Sequence, residues 1–322
     1  PKPSDKQVEY LAFQLQIFPS YCYLWEDNME IISNCPICQS QHIESFLEAK
    51  DYTVSGEYFK IVQCRNCDFL FTNPRPSAQE AGTYYQSENY ISHSNTNEGI
   101  INKLYHWVRT ITLRQKTNWI STYKQSNQLL DIGCGNGHFL NACKQAGWKV
   151  MGMELDPKTS EQARQNTSEK IVNHLHEITA DETFQVISLW HVLEHVYELD
   201  EYFQFFKSHL KTSGKLLLAL PNPKSHDAEK FKAYWAAYDV PRHIHHFTPK
   251  SIELLANKYG FKLVKSKGLL FDSFYISLLS NEYQSGKKKL ISSFITGAFS
   301  NLKAFIFNGN YSSNLYIFEH AS

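Results

Sequence analysis

Residues 128 to 137, Gln-Leu-Leu-Asp-Ile-Gly-Cys-Gly-Asn-Gly, run from a short apolar strand into a turn with glycines at Gly133, Gly135 and Gly137. Such a turn adopts backbone conformations closed to other residues and lets a ligand lie against the main chain where side chains would collide. Seventeen residues after Gly137, a second apolar segment, Lys149 to Met153, ends in Glu154. That spacing places an acidic side chain where it can meet a ribose diol. Together the two segments predict a nucleoside pocket.

The dinucleotide fingerprint G-x-G-x-x-G is excluded, because its third glycine, counted from Gly133, falls on His138. What stands instead is D-x-G-x-G-x-G headed by Asp131, which resembles motif I of the class I S-adenosylmethionine-dependent methyltransferases. The resemblance implies S-adenosyl-L-methionine as cofactor. It also implies that Asp131 orders the loop, that the turn from Gly133 through Cys134 and Gly135 to Gly137 faces the cofactor, and that Glu154, followed by Leu155, holds the ribose. The plain alternative is a tight strand-to-helix connection beside an acid.

Two C-x-x-C knuckles, Cys35-Pro-Ile-Cys38 and Cys64-Arg-Asn-Cys67, are separated by 25 residues. Two knuckles at this spacing read as a zinc ribbon, with four thiolates closing a tetrahedral, structural Zn2+ site. A disulfide framework would need an oxidising compartment, for which the sequence carries no signal. Cys134 and Cys143 are expected to pack.

From Leu129 onward, strand and helix patterns alternate. Strands are expected to Ile132, to Glu154, near Ile171, over Phe184 to Leu189, Lys215 to Leu220 and Lys262 to Lys265, with helices between them. Asn314 to Glu319 is expected to be an antiparallel last strand. This predicts an α/β Rossmann-like, seven-stranded, doubly wound sheet plus the small N-terminal zinc ribbon. The expected organisation is an N-terminal extension at 1–28, with Met29 a candidate start, the ribbon at 29–76, and a linker with an amphipathic helix at 77–125. The cofactor domain follows at 126–322, with a helical insertion at about 273–308. Tyr10 to Phe18 lacks the basic flank and cleavage site of a signal peptide. Tyr84, Tyr85 and the segment Tyr90 to His93 are read either as a cover over the cofactor or as packing between domains.

Residues 190 to 196, Trp-His-Val-Leu-Glu-His-Val, contain H-x-x-E-H, which is also the signature of inverted zinc peptidases. The segment directly follows a buried strand, and it resembles the loop after the fourth strand in one methyltransferase branch, the type 23-like enzymes with an N-terminal ribbon. Asp239-Val-Pro-Arg-His-Ile-His-His-Phe-Thr248 resembles the same branch, so the likeness spans roughly residues 30 to 320. It implies that Trp190 and His191 flank the cofactor and that Glu194 or His195 lies near the acceptor. If the acceptor proton must be removed, His195 and His243 are the candidate catalytic bases. Gln185 departs from the branch, whose members commonly carry Asp there.

Formal net charge is zero, and basic clusters are few. That disfavours nucleic acid as partner and points to a small-molecule methyl acceptor, in a cytoplasmic enzyme. An RNA methyltransferase gripping RNA through its ribbon is the alternative. Lys287-Lys288-Lys289 precedes an apolar stretch, Leu290 to Phe307, interrupted by Asn301 and Lys303, so a bilayer span is not expected. A contact with a membrane surface or a lipid-like acceptor is the second reading of that stretch.

Overall fold

A computed structural model describes residues 29–85 and 100–321. The readings at 1–28 and at Tyr90 to His93 lie outside the described residues, as do the side chains of residues 100–107 in the expected amphipathic helix. The N-terminal strands are β1 (Met29–Glu30), β2 (Ile43–Lys50), β3 (Tyr58–Cys64), β4 (Leu70–Thr72) and β5 (Arg75–Pro76), ending in a 3-10 turn at Ala81–Tyr85. Helix α1 (Ile100–Ser121) leads into β6 (Gln128–Ile132), α2 (His138–Gln145), β7 (Lys149–Met153), α3 (Pro157–Thr167) and β8 (Ile171–Val172). Then come β9 (Phe184–Trp190), α4 (Leu199–His209), β10 (Leu210–Pro221), α5 (His226–Phe231), β11 (His245–His246) and α6 (Pro249–Lys258). The chain closes with β12 (Phe261–Gly268), α7 (Asp272–Ser285), α8 (Leu290–Lys303), a π-helical turn at Ala304–Asn308 and β13 (Ser313–His320).

The large sheet has seven strands in the order β12-β13-β10-β9-β6-β7-β8. β6 pairs in parallel with β7 and β9, and β9 with β10, whereas β13 runs antiparallel between β10 and β12. Successive residues of the central strands point to opposite faces, and both faces are buried, which is why these strands read as continuous apolar runs. Leu130, Ile187 and Leu218 pack with Phe203 and Phe206 of α4 and Leu255 of α6. Their neighbours Leu129, Val186 and Leu217 pack with Ile120 of α1, Leu140 of α2 and Ala163 of α3. Parallel pairing sends the ends of β6, β7 and β9 to one edge, where their loops meet.

The N-terminal sheet is completed from the other half of the chain. Its order is β11-β4-β3-β2, with His245 opposite Phe71 and His246 opposite Leu70. His245 Nε2 is 2.9 Å from the Val196 carbonyl, and His246 Nε2 is 3.2 Å from Thr72 Oγ1, so these two histidines tie elements together. A buried ionic junction reinforces the seam. The Arg242 guanidinium donates to Asp51 at 2.9 Å, to both carboxylate oxygens of Asp239 at 2.6 and 3.0 Å, and to the Tyr84 carbonyl at 3.0 Å. Burial alone would raise the pKa of Asp51, yet the Arg242 contact and the amides of Ser55 and Thr53 hold it below the usual carboxylate range.

Gln185 lies at the start of β9, the opposite end from those loops. It bridges Ser126 and Ser213 at 3.2 and 2.9 Å, a structural role away from the site. Replacing Arg242 with Met would strand Asp51, whose side chain is fully buried. The expected loss is about 3–5 kcal/mol in denaturant unfolding followed by circular dichroism; a loss under about 1 kcal/mol would show that the junction carries little stability.

Candidate active site

The glycine turn is clasped to the end of β7 at two points. The amides of Gly133 and Cys134 both donate to the Met153 carbonyl, at 2.8 and 3.0 Å. Gly133 has φ +69, and a Cβ there would sit 2.4 Å from Val192 Cγ2, so no other residue fits. Gly135 also has positive φ, +53, but nothing lies within 4 Å of where its Cβ would be. The turn is therefore closed behind Gly133 and open above Gly135. Gly137 forms the N-terminal boundary of α2, against Thr167 of α3.

Glu154 completes the clasp. One oxygen accepts from the Gly135 amide at 3.0 Å and the other from the Asp156 amide at 3.1 Å. A carboxylate offers about four lone-pair directions, so each oxygen keeps accepting capacity for a ligand.

Between this clasp and the end of β9 lies a pocket of about 230 Å³. The sequence-predicted residues Gly133, Glu154, Leu155, Trp190, His191 and His195 line it, joined by Tyr85, Val192 and Tyr202. Asp131, Cys134, Gly135, Gly137 and His243 are not part of that lining. Asp131 lies behind the loop, where Ser188 of β9 donates to it at 2.6 Å; burial pushes its carboxyl up to about 7 against that bond and the nearby Lys116. Cys134 and Cys143 are buried, and burial raises both thiols, as expected for packing residues.

Of the two tyrosines read as a cover, Tyr85 lines the pocket, while Tyr84 packs edge-on against Phe59 at 5.7 Å. Trp190 meets Phe139 edge to face at 5.3 Å, with Lys116 of α1 4.1 Å above its ring. Its indole N–H is buried without an acceptor among the described residues.

Charge is laid out in a definite order beyond Trp190. His191 takes φ +59 in the turn after β9, with Nε2 3.0 Å from Asp272 of α7 and Nδ1 3.5 Å from Glu194. Burial disfavours its charge, but the two carboxylates outweigh this and lift its pKa to about 9. Glu194 is 1% exposed, and neither oxygen has a hydrogen bond among the described residues. Burial would neutralise it, yet the contact with His191 and the nearby His243 hold its pKa below the ordinary value. His195 is the reverse case: burial and the nearby His243 push it down to about 4, so it is neutral.

His195 Nδ1 lies 3.0 Å from the Arg242 carbonyl and 2.9 Å from the Tyr85 hydroxyl. A carbonyl only accepts, which places the proton on Nδ1 and leaves a lone pair on Nε2. His243 stands behind it, the rings edge to face at 4.6 Å, with Nδ1 2.9 Å from the Ala237 carbonyl. The two histidines are thus brought together, and only His195 reaches the pocket.

The peptidase reading fails on geometry. Leu193–His195 is a single 3-10 turn, His191 faces Asp272, and His195 faces Arg242, whereas a peptidase needs both histidines one helical turn apart toward one ion. Asp272 and Tyr202 were not singled out by the sequence, since neither carries a local motif, and Val192 lies in the quoted 190–196 segment without a role assigned to it. Arg242 lies in the quoted Pro-Arg-His segment, where its charge beside Asp239 was the available signal.

In the ribbon, Cys35 Sγ is 3.5 Å from Cys67 Sγ and Cys38 Sγ is 3.5 Å from Cys64 Sγ, with all four sulfurs within 4.8 Å of one another. No disulfide joins them.

The chain is similar to known proteins in sequence and in structure. The family described as a methyltransferase domain matches residues 106–266, half of the 322-residue chain. The chain belongs to that family. The ubiquinone biosynthesis O-methyltransferase of Cereibacter sphaeroides (strain ATCC 17029 / ATH 2.4.9) is 28% identical over 164 residues, covering 45% of this chain and 64% of the relative. The enzyme of that name from Xanthomonas axonopodis pv. citri is 26% identical over 159 residues, covering 45% and 66%. The chain thus spans under two thirds of these relatives' length. Among solved structures, magnesium protoporphyrin IX methyltransferase from Synechocystis PCC 6803 with bound SAH is 14% identical, covering 76% of this chain and 100% of that one at TM-score 0.49. A SAM dependent methyltransferase from Archaeoglobus fulgidus is 20% identical, covering 65% and 93% at TM-score 0.44.

His191 is charged when folded up to about 9, against 6.5 for a free imidazole, so its contribution to stability is whole below 6.5 and lost as pH rises toward 9. Histidine-selective NMR titration should find one ring titrating near 9, and Asp272→Asn should move it toward neutrality. A His191 titration near 6.5 in the unaltered chain would contradict the assigned pairing.

Proposed function

We propose that this chain transfers the methyl group of S-adenosyl-L-methionine to a small acceptor in the pocket between the Gly135 turn and His195. The observation that carries this reading is the Glu154 clasp: a carboxylate with spare accepting capacity, beside backbone left open where a side chain would sit. Those features fit a ribose and the chain attached to it. Glu154 would hold the sugar, the Gly133–Gly135 backbone and Trp190 would flank the rest, and Leu155 at the rim would contact the base. When bound, the cofactor supplies a methyl group already activated by its sulfonium, so the protein's part is alignment and exclusion of water.

His195 is the group we assign to the acceptor's proton. It lines the pocket as a neutral imidazole whose tautomer is set by the Arg242 carbonyl, and His243 and Glu194 stand behind it. Glu194 adds a negative charge beyond the His191 and Asp272 pair, which suits both a cationic donor and the imidazolium that forms as His195 takes a proton. Tyr85, Trp190 and Tyr202 put aromatic rings in the wall beside the polar Glu154, His191 and His195, which suits a ring-bearing acceptor that presents a hydroxyl. The relatives named as ubiquinone biosynthesis O-methyltransferases support oxygen as the methylated atom.

The four ribbon cysteines are assigned a structural Zn2+. Tetrahedral thiolates at about 2.3 Å from an ion stand about 3.8 Å apart, close to the two 3.5 Å sulfur separations here.

Calorimetry with S-adenosylhomocysteine tests the first assignment. Glu154→Ala should weaken binding about tenfold or more, the loss of charge-assisted hydrogen bonds worth about 1.5–3 kcal/mol, and Glu154→Gln should retain part of the affinity. Unchanged affinity in both would remove Glu154 from the cofactor site. Metal analysis tests the second: about one zinc per chain is expected, lost in Cys35→Ser/Cys67→Ser. Zinc content indifferent to that pair of substitutions would refute the ribbon site.

A further inference from the structure

Helix α8 faces the wrong way for a helix of a globular core. Its buried residues are the small and polar Ser293, Thr296, Gly297 and Ser300. Its apolar ones point outward: Ile291 is 79% exposed, Phe294 64%, Ile295 62% and Phe299 52%, and the π-helical turn that follows adds Phe305 at 79% and Phe307 at 76%. The helix cannot roll over to hide them, because its inner side is clamped. Asn281 donates to Ser293 at 2.9 Å, Lys230 to Thr296 at 2.6 Å, and Ser300 donates to the buried carboxylate of Asp227 at 2.6 Å. At Gly297 the packing on α7 is so close that a Cβ would lie 2.9 Å from Phe274 Cδ1.

Scattered exposed apolar residues need no explanation, but a continuous face held outward by hydrogen bonds on its reverse does. Charge shows what it meets. Lys287, Lys288 and Lys289 stand immediately before the first turn of α8, with exposed side chains. Cations at a helix N-terminus oppose the helix dipole, so they do not serve the helix itself. Beside an apolar face they complement an anionic headgroup layer. Leu290–Phe307 is also long and apolar enough, by composition alone, to enter a bilayer. Crossing it would break the hydrogen bonds on the inner face, whereas lying in its surface keeps them.

We propose that α8 and the turn after it form a membrane-docking face, seated in the interfacial layer of an anionic bilayer with the helix axis parallel to the surface. The lysines sit among the headgroups, and Phe294, Phe299 and Phe305 reach the acyl boundary. The proposal does not depend on the reaction assigned to the pocket.

Flotation of the full chain with vesicles tests it. Binding should appear with phosphatidylcholine containing about a third phosphatidylglycerol, exceed that to phosphatidylcholine alone by about tenfold, and weaken in about half-molar salt. Ile291→Ser/Phe294→Ser/Phe305→Ser should reduce it at least about tenfold with circular dichroism unchanged, because these side chains are exposed. Lys287→Glu/Lys288→Glu/Lys289→Glu should abolish the preference for anionic vesicles. Absence of flotation, or flotation indifferent to the serine substitutions, would overturn the proposal. So would a chain that fails to float and sediments as a dimer reverting to monomer in the serine variant, since the face would then join two copies.

Discussion

The contact between the Glu154 carboxylate and the Gly135 amide fixes the geometry of everything around the pocket. It joins the turn after β6 to the end of β7, so that a flexible glycine segment is held against a rigid strand. Two further hydrogen bonds from Gly133 and Cys134 to the Met153 carbonyl repeat the connection one residue deeper. Glycines lose more backbone entropy on ordering than other residues, a cost that these hydrogen bonds offset. Strand pairing in parallel makes the clasp possible, because it brings both strand ends to the same edge.

On the other side of the pocket, charge and packing are inseparable. His191 is cationic because Asp272 reaches it from α7, and His195 is neutral because it is buried beside His243. The same imidazole chemistry therefore gives opposite protonation states four residues apart. Arg242 connects this arrangement to the N-terminal sheet: its side chain holds Asp51 and Asp239, while its carbonyl sets the His195 tautomer. The N-terminal sheet and the pocket are thus joined through one buried guanidinium and the short strand β11.

The sequence makes the large sheet and the glycine site legible because both depend on local signals, namely continuous apolar runs along β6, β9 and β10 and glycines at fixed offsets before an acid. Element boundaries shift by a residue or several; β10 begins at Leu210, where a strand start at Lys215 was expected. β11 was hidden for a different reason. Two residues cannot show a period, and their partners Phe71 and Leu70 lie far back in the chain. The histidine cluster was visible as a set, but its division into structural His245 and His246, cationic His191 and pocket-lining His195 depends on neighbours brought by α7 and the N-terminal sheet. Asp272 had no motif to mark it. The outward face of α8 follows from Ser293, Thr296 and Ser300 taking the inner side, a polar stripe that an apolar composition conceals.

The account rests on a sugar held by Glu154. A crystal structure with S-adenosylhomocysteine tests this most directly. It should show both ribose hydroxyls within hydrogen-bond distance of the Glu154 oxygens, with the Gly135 amide still bound to the same carboxylate. A ligand seated elsewhere on the sheet edge, or a Glu154 side chain turned out of the pocket, would contradict it.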